Sequence, residues 1–316
     1  MGEVAPSLGL PETFVAVKFK KFSPPMCLLP PSLHRGLYEG GWRMMDVYQE
    51  RSFQEREACR VKLLEPWLEP VLALFEGRVI DTPKSAMPST HFSATFSATS
   101  AVEHKIFIIG GILFLVVELK FTLDIDDNFV QLFPELLSAA RTNKSANFAN
   151  LRVFGLLTDV SSFRFYSYDP LLNEFHSDEN ILVNAKRDDF CCDMIQVSNK
   201  IFSVTMYAYM EVLRGTVQSS QRRSENGDLS PTGSSPIQQL TKTPSVSRTK
   251  RGLEFAEEAY KKLQEVSTDA EQLEHIATDG LGLLARSVHC LPRFSDSSSE
   301  KNPSTAKELR AVAEGK

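Results

Sequence analysis

Ten residues constrain this fold more than any others: ILFLVVELKF, residues 112 to 121. Ile112 to Val117 is an unbroken apolar run. It is too short to cross a bilayer, which takes about 18–20 residues, and its composition suits a strand. In a chain that mixes helical and strand patterns, such a run marks a central strand covered on both faces. It ends in Glu118 and Lys120, two positions apart and therefore on one face. The end of such a strand is expected to meet solvent, so the two charges are read as lining the rim of a sheet.

The surrounding pattern supplies the rest of a mixed sheet. In HKIFIIGGILFLVVELK, Gly110 and Gly111 provide the positive φ angles that a tight hairpin demands. Counting outward from a two-residue loop pairs Ile109 with Ile112, and sets Glu103 opposite Glu118 and Ala101 opposite Lys120. Two facing carboxylates repel unless a cation lies between them. Magnesium suits such a place, since it accepts one or two carboxylates and keeps several waters. A slip of one residue would send Glu103 to the other face.

Leu63, Leu64, Trp67, Leu68, Val71, Leu72 and Phe75 predict an amphipathic helix within 52–75, kinked or divided at Pro66 and Pro70. HFSATFSATS alternates as a half-buried strand. A second helix is expected within 128–144, starting or bending at Pro134. LRVFGLLTDV and SSFRFYSYDP predict two strands joined by a turn near Val160 to Ser162. Phe190, Met194, Val197, Ile201, Val204 and Ala208 predict a longer helix whose stripe serves core packing.

The prolines of residues 1–45 suggest a loosely ordered arm, and 46–214 holds the main α/β domain. Residues 215–251, rich in Ser, Thr, Gln and Pro, read as a disordered linker. An amphipathic helical segment over 252–292 either docks back or meets a protein partner, and 293–316 reads as a disordered tail. The five cysteines include the adjacent pair Cys191 and Cys192 and show no CxxC spacing, so they read as reduced thiols in an intracellular protein, cytoplasmic or nuclear. A net charge of -5 argues against a large phosphate footprint while leaving room for a small local one. Neither a secretory leader nor a membrane span is expected.

A helix, a hairpin ending in VVELK, a helix carrying Gln131 and then FGLLTDVSSFRFYSYD together resemble the core of the PD-(D/E)XK, or restriction-endonuclease-like, nuclease superfamily. The resemblance covers roughly residues 52–214. It implies an α/β fold with a mixed central sheet flanked by helices, and magnesium-dependent hydrolysis of DNA or RNA. By the same resemblance Glu118 is the metal-binding acid, Lys120 its lysine, and Gln131 the glutamine that some members carry in the following helix. The family shows Pro-Asp or a similar dipeptide in the preceding strand. Here the first acid is Glu103, with Asp81 of RVIDTP as runner-up, and neither follows a proline. A member that has lost that ligand would keep the fold as an interaction or regulatory module without cutting.

Other chemistry-bearing residues have simpler readings. Asp124, Asp126 and Asp127 lack the glycine and distal glutamate of an EF-hand and suit helix capping. Strand alternation points His104 away from Glu103. Asp159 is expected to shape a turn. The cysteines have no histidine and aspartate arrangement beside them, and RTKR (248–251) reads as a solvated run.

Overall fold

The computed structural model describes residues 19–54, 56–86, 101–108, 111–120, 123, 128–226 and 246–293, with backbone alone at 84–86, 101–103, 128–131 and 222–226. The alternating strand at 91–100, the aspartates 124–127 and the segments 227–245 and 294–316 lie outside the described residues. In chain order the strands are β1 (Lys20–Lys21), β2 (Val79–Ala86), β3 (Ala101–Ile108), β4 (Ile112–Leu119), β5 (Val153–Thr158), β6 (Ser162–Asp169) and β7 (Glu174–Leu182). The helices are α1 (Pro31–Tyr48), α2 (Glu57–Ala73), α3 (Asn128–Ser145), α4 (Arg187–Asn226), α5 (Val246–Lys262) and α6 (Ala270–His289).

The strands form one sheet in the order β1-β7-β6-β5-β4-β3-β2. Neighbours are antiparallel except β4 with β5 and β1 with β7, which are parallel. This is an α/β fold with a mixed central sheet, as the sequence predicts. Parallel β4 and β5 require a crossover, and α3 supplies it.

Every residue of β4 is buried, because both faces are covered. On one face Leu113 and Val116 pack with Leu132, Phe133 and Leu136 of α3. On the other, Ile112, Phe114 and Val117 join a larger core with α1, α2 and α4. Asn143, at the far end of α3, accepts from Leu113 N (3.0 Å) and donates to Leu113 O (2.7 Å).

Three elements depart from the sequence reading. Helix α1 occupies part of the stretch expected to be a loose arm. Pro31 sits at its first turn, where a missing N–H costs nothing, and Leu37, Gly41 and Met45 bury one side. Strand β2 carries Pro83, which an edge strand tolerates. Strand β7 is polar along much of its length and has no clean alternation to read.

The stretch expected to be a linker is helical at both described ends. Helix α4 runs on past residue 214, burying Val217, and α5 begins at Val246 and buries Thr249. The apolar stripes of α5 and α6 dock back: Ala256, Leu263, Leu284 and Val288 belong to the larger core. Leu263 lies against Gly280, where a Cβ would come within 2.6 Å of it. Ser287 Oγ donates to Gly252 O at 2.6 Å, and Arg78 Nη2 donates to Leu291 O at 2.7 Å. Among the described residues, no helix is long and apolar enough to cross a membrane.

Two stability predictions follow from this packing. Gly41 of α1 faces the indole of Trp67 in α2, and a Cβ there would lie 2.3 Å from Cζ2. Gly41→Ala is therefore expected to lower the unfolding free energy by about 1–3 kcal/mol through overpacking, read as a drop in the urea midpoint.

His34 bonds Asn199 Oδ1 at 3.1 Å, and Leu29 N donates to the same oxygen at 2.9 Å. Burial pushes the imidazole below its ordinary value, partly offset by the Asn199 bond. The unfolded chain therefore takes up the proton first. This contribution to stability is present above the unfolded value of 6.5 and is lost as pH falls through it towards the folded value. Between about pH 7.5 and 5.5, the wild type should lose more stability than His34→Gln in urea titrations; equal losses would refute the assignment.

Candidate functional site

The end of β4 turns from apolar to charged at the point where the parallel pair finishes. Glu118 lies beside Leu157 and Leu119 beside Thr158, and Lys120 N donates to Thr158 O at 2.9 Å. Glu118 stands two positions beyond Val116, so it shares the α3 face of the sheet. Its Oε1 meets Lys120 Nζ at 2.6 Å. Glu118 is only 2% exposed. In place of the expected solvated rim stands an ion pair whose carboxylate is buried and whose ammonium is partly exposed.

Two further charges share this face. Lys105 of β3 lies opposite Val116 and is 3% exposed. Burial pulls its ammonium below the ordinary lysine value, and the Glu135 carboxylate of α3, 4% exposed, partly restores it. Sequence reasoning missed both residues. The available signals were that Lys105 follows Glu103 by two, on one strand face, and that Glu135 follows Gln131 by one helical turn.

The hairpin differs from the counted one and arrives at the same alignment. Pairing closes at Ile108 with Ile112, and Gly111 has φ 74°. Phe107 then faces Leu113 while Ile106 faces Leu115, leaving Phe114 as the extra residue of a bulge. Beyond it Lys105 faces Val116 and His104 faces Val117. Carried one residue further, this register sets Glu103 across from Glu118. The side chains of Glu103 and Gln131 lie outside the described residues.

Asp81 belongs elsewhere. It lies opposite Ile106, whose side chain joins the larger core on the α2 and α4 side. Asp81 Oδ2 bonds His104 Nδ1 at 2.6 Å. The strand pairing therefore places Asp81 on the face opposite Glu118 and Lys120, and the runner-up acid is removed from their site. Among the described residues no three His, Cys, Asp or Glu side chains gather as a metal centre.

The turn beside Lys120 is tightly held. Asp159 Oδ1 accepts from Ser161 N (3.0 Å), Ser161 Oγ (2.7 Å) and Ser162 N (3.0 Å). Arg51 Nη2 donates to Asp159 Oδ2 at 2.7 Å, and Arg51 Nε donates to Asp159 O at 2.7 Å. Val160 is driven to φ 71°, which a β-branched residue resists. The turn expected from Asp159 is thus present, and it fixes the Thr158 carbonyl that Lys120 N uses.

No family model matches the sequence, and no curated protein does. Among solved structures, the chain is similar to the type IIG restriction endonuclease BpuSI at 14% sequence identity and a TM-score of 0.32. The match covers 71% of this chain and 28% of that one, so this chain spans under a third of that protein's length.

Asp159→Ala leaves the turn donors and Arg51 without their carboxylate. It is expected to cost about 1–3 kcal/mol, measured by thermal or urea unfolding. A change within about 0.5 kcal/mol, as for an ordinary surface substitution, would show that the turn holds without it.

Proposed function

We propose that this chain carries a PD-(D/E)XK-like nuclease core that hydrolyses phosphodiester bonds of DNA or RNA with magnesium, centred on Glu118 and Lys120. The observation that carries this reading is a buried carboxylate, Glu118, paired at 2.6 Å with the partly exposed ammonium of Lys120 at the closing end of a parallel strand pair. Burying such a carboxylate is expensive, and an apolar pair of similar volume serves stability as well or better. Strand-end charge balance would be met just as well in solvent. The order α2, β3–β4 hairpin, α3, β5–β6 is also the order on which the resemblance rests.

The donor set suits a hard cation. Glu118 offers a buried carboxylate, and the register of β3 and β4, continued by one residue, would set Glu103 across from it. Two carboxylates are what magnesium takes from a protein while keeping its waters. Glu118 and Glu103 would hold the ion. When bound, it would supply Lewis acidity and an acidified water. Lys120 would set positive charge where the phosphoryl oxygens gain negative charge, and Gln131 is the glutamine that the resemblance names in the following helix.

A second reading keeps the fold and drops the cleavage, leaving an interaction or regulatory module. It is favoured by the contact of Glu118 with Lys120, which balances both charges without an ion, and by the engagement of Asp81 with His104. Because the apolar faces of α5 and α6 are buried, a protein partner would meet their polar outer faces.

Cleavage of labelled DNA and RNA by the full chain, with magnesium and with a chelator, separates these readings. Glu118→Ala and Lys120→Ala should each lower a magnesium-dependent rate by about a hundredfold or more. Rates unchanged by both substitutions would remove the assigned roles. A wild type that neither cleaves nor takes up magnesium in calorimetry, yet binds nucleic acid or protein, would select the second reading.

A further inference from the structure

The side chains under and beside α3 fall into rows across the sheet. Glu118 lies next to Leu157, Leu157 opposite Arg164, and Arg164 opposite Asn180. The parallel row one step back runs from Lys105 through Val116 and Gly155 to Tyr166. Leu157 and Tyr166 both pack in the α3-side core, which fixes the face of the β6 residues between and beside them. Arg164 therefore stands on the same face as Glu118, two strands away, at a backbone separation of about 10 Å.

Arg164 is half-buried, unlike a free surface arginine. Tyr166, two positions along β6 and on the same face, is its neighbour. That ring is wedged edge-on against Phe133 of α3 at 5.6 Å and against Phe19 at 6.0 Å. Burial raises the Tyr166 phenol to about 12, with Arg164 acting to lower it, so the hydroxyl remains a neutral acceptor at ordinary pH. The neighbour across β7, Asn180, has its Oδ1 occupied by Ser162 Oγ at 2.7 Å. Arg152, on β5's lead-in, bonds Asp169, and Arg51 bonds Asp159. Arg164 forms no ion pair with any carboxylate among the described residues. A half-buried guanidinium beside an aromatic ring, with no ion-paired acid among the described residues, is a cation prepared for an anion from outside.

We infer that Arg164 is a phosphate clamp of the site, gripping through its guanidinium fork a backbone phosphate next to the one over Glu118 and Lys120. The bound strand then crosses the sheet from β4 towards β6, and Tyr166 is a positioning residue for the clamp. This rests on the nuclease-core reading and adds to it a direction for the substrate. Guanidinium recognition of phosphate is indifferent to base sequence, so the clamp contributes affinity and salt dependence and no sequence preference.

The test is fluorescence anisotropy of fluorescein-labelled duplex and single-stranded DNA with the full chain, in calcium to prevent turnover, across a salt series. Arg164→Gln should weaken binding about tenfold and reduce the slope of log affinity against log salt by about one. Arg164→Lys, which keeps the charge, should keep the slope and lose about threefold through loss of the fork. Tyr166→Phe should fall between wild type and Arg164→Gln. Wild-type affinity and slope in Arg164→Gln would overturn the clamp and leave the nuclease reading standing. Should that variant fail to fold, wild-type affinity in Arg164→Lys overturns the fork contact. A wild type that neither binds nor cleaves DNA or RNA overturns the reading beneath it.

Discussion

Asn143 holds the position on which the rest of the site depends. It is fully buried near the end of α3, and its amide takes both the N–H and the carbonyl of Leu113. Pairing of β4 with β5 begins only at Leu115. At Leu113 the side chain of Asn143 thus takes the place of a neighbouring strand, satisfying backbone groups that would otherwise be buried without partners. The next residue, Phe114, is the bulge, and the bulge decides which residue of β3 faces Glu118. One contact therefore pins the crossover helix to the strand beside the irregularity that sets the hairpin register. Losing that bulge would slide β3 by one residue and exchange the faces of Glu103, His104 and Lys105.

Burial of charge alone does not identify a site in this protein. Lys200 of α4 is fully buried, but its ammonium meets the Asp178 carboxylate and the Ser23 hydroxyl, and these tie α4 to β7 and to the segment before α1. That arrangement is complete in itself. Glu118, Lys120, Lys105 and Glu135 differ in their place. They lie between the sheet and the helix that crosses from β4 to β5, at the end where a parallel pair opens, which is where α/β sheets offer a crevice. Position separates the two groups more sharply than burial does.

Much of this was legible in the sequence, and the reasons for success and failure are physical. The stripe of α4 and the apolar run of β4 are periodic or continuous because they face a core, and a core imposes its pattern on sequence. Strand β7 faces partly outward, so its polar string EFHSDENIL carries no such imprint. Pro31 reads as a break in a chain but sits as a helix start in the structure, a difference of one position that proline chemistry permits. The Glu103 alignment was legible only because two departures cancel: the loop closes one residue earlier than counted, and Phe114 restores the count. Asp81 could not be placed from its own strand, since its face is decided by pairing with β3. Lys105 and Arg164 were hidden for a related reason, as a charged residue in a strand looks exposed until a helix or an aromatic row is set over it.

The depth of the site follows from a missing side chain. Gly155 lies in β5 directly beneath Leu132, and a Cβ there would come within 3.0 Å of Leu132 Cδ1. Helix α3 can settle closely on β5 because that position is empty. Lys105 beneath this helix and Glu135 on it are buried by the same approach, and Phe133 reaches Tyr166, the neighbour of Arg164 along β6. A larger residue at 155 would lift the first turns of α3, loosen Phe133 from Tyr166 and let water to Lys105 together. The charge pattern at the end of β4 is thus tuned from one strand away, by how near a helix can come to the sheet.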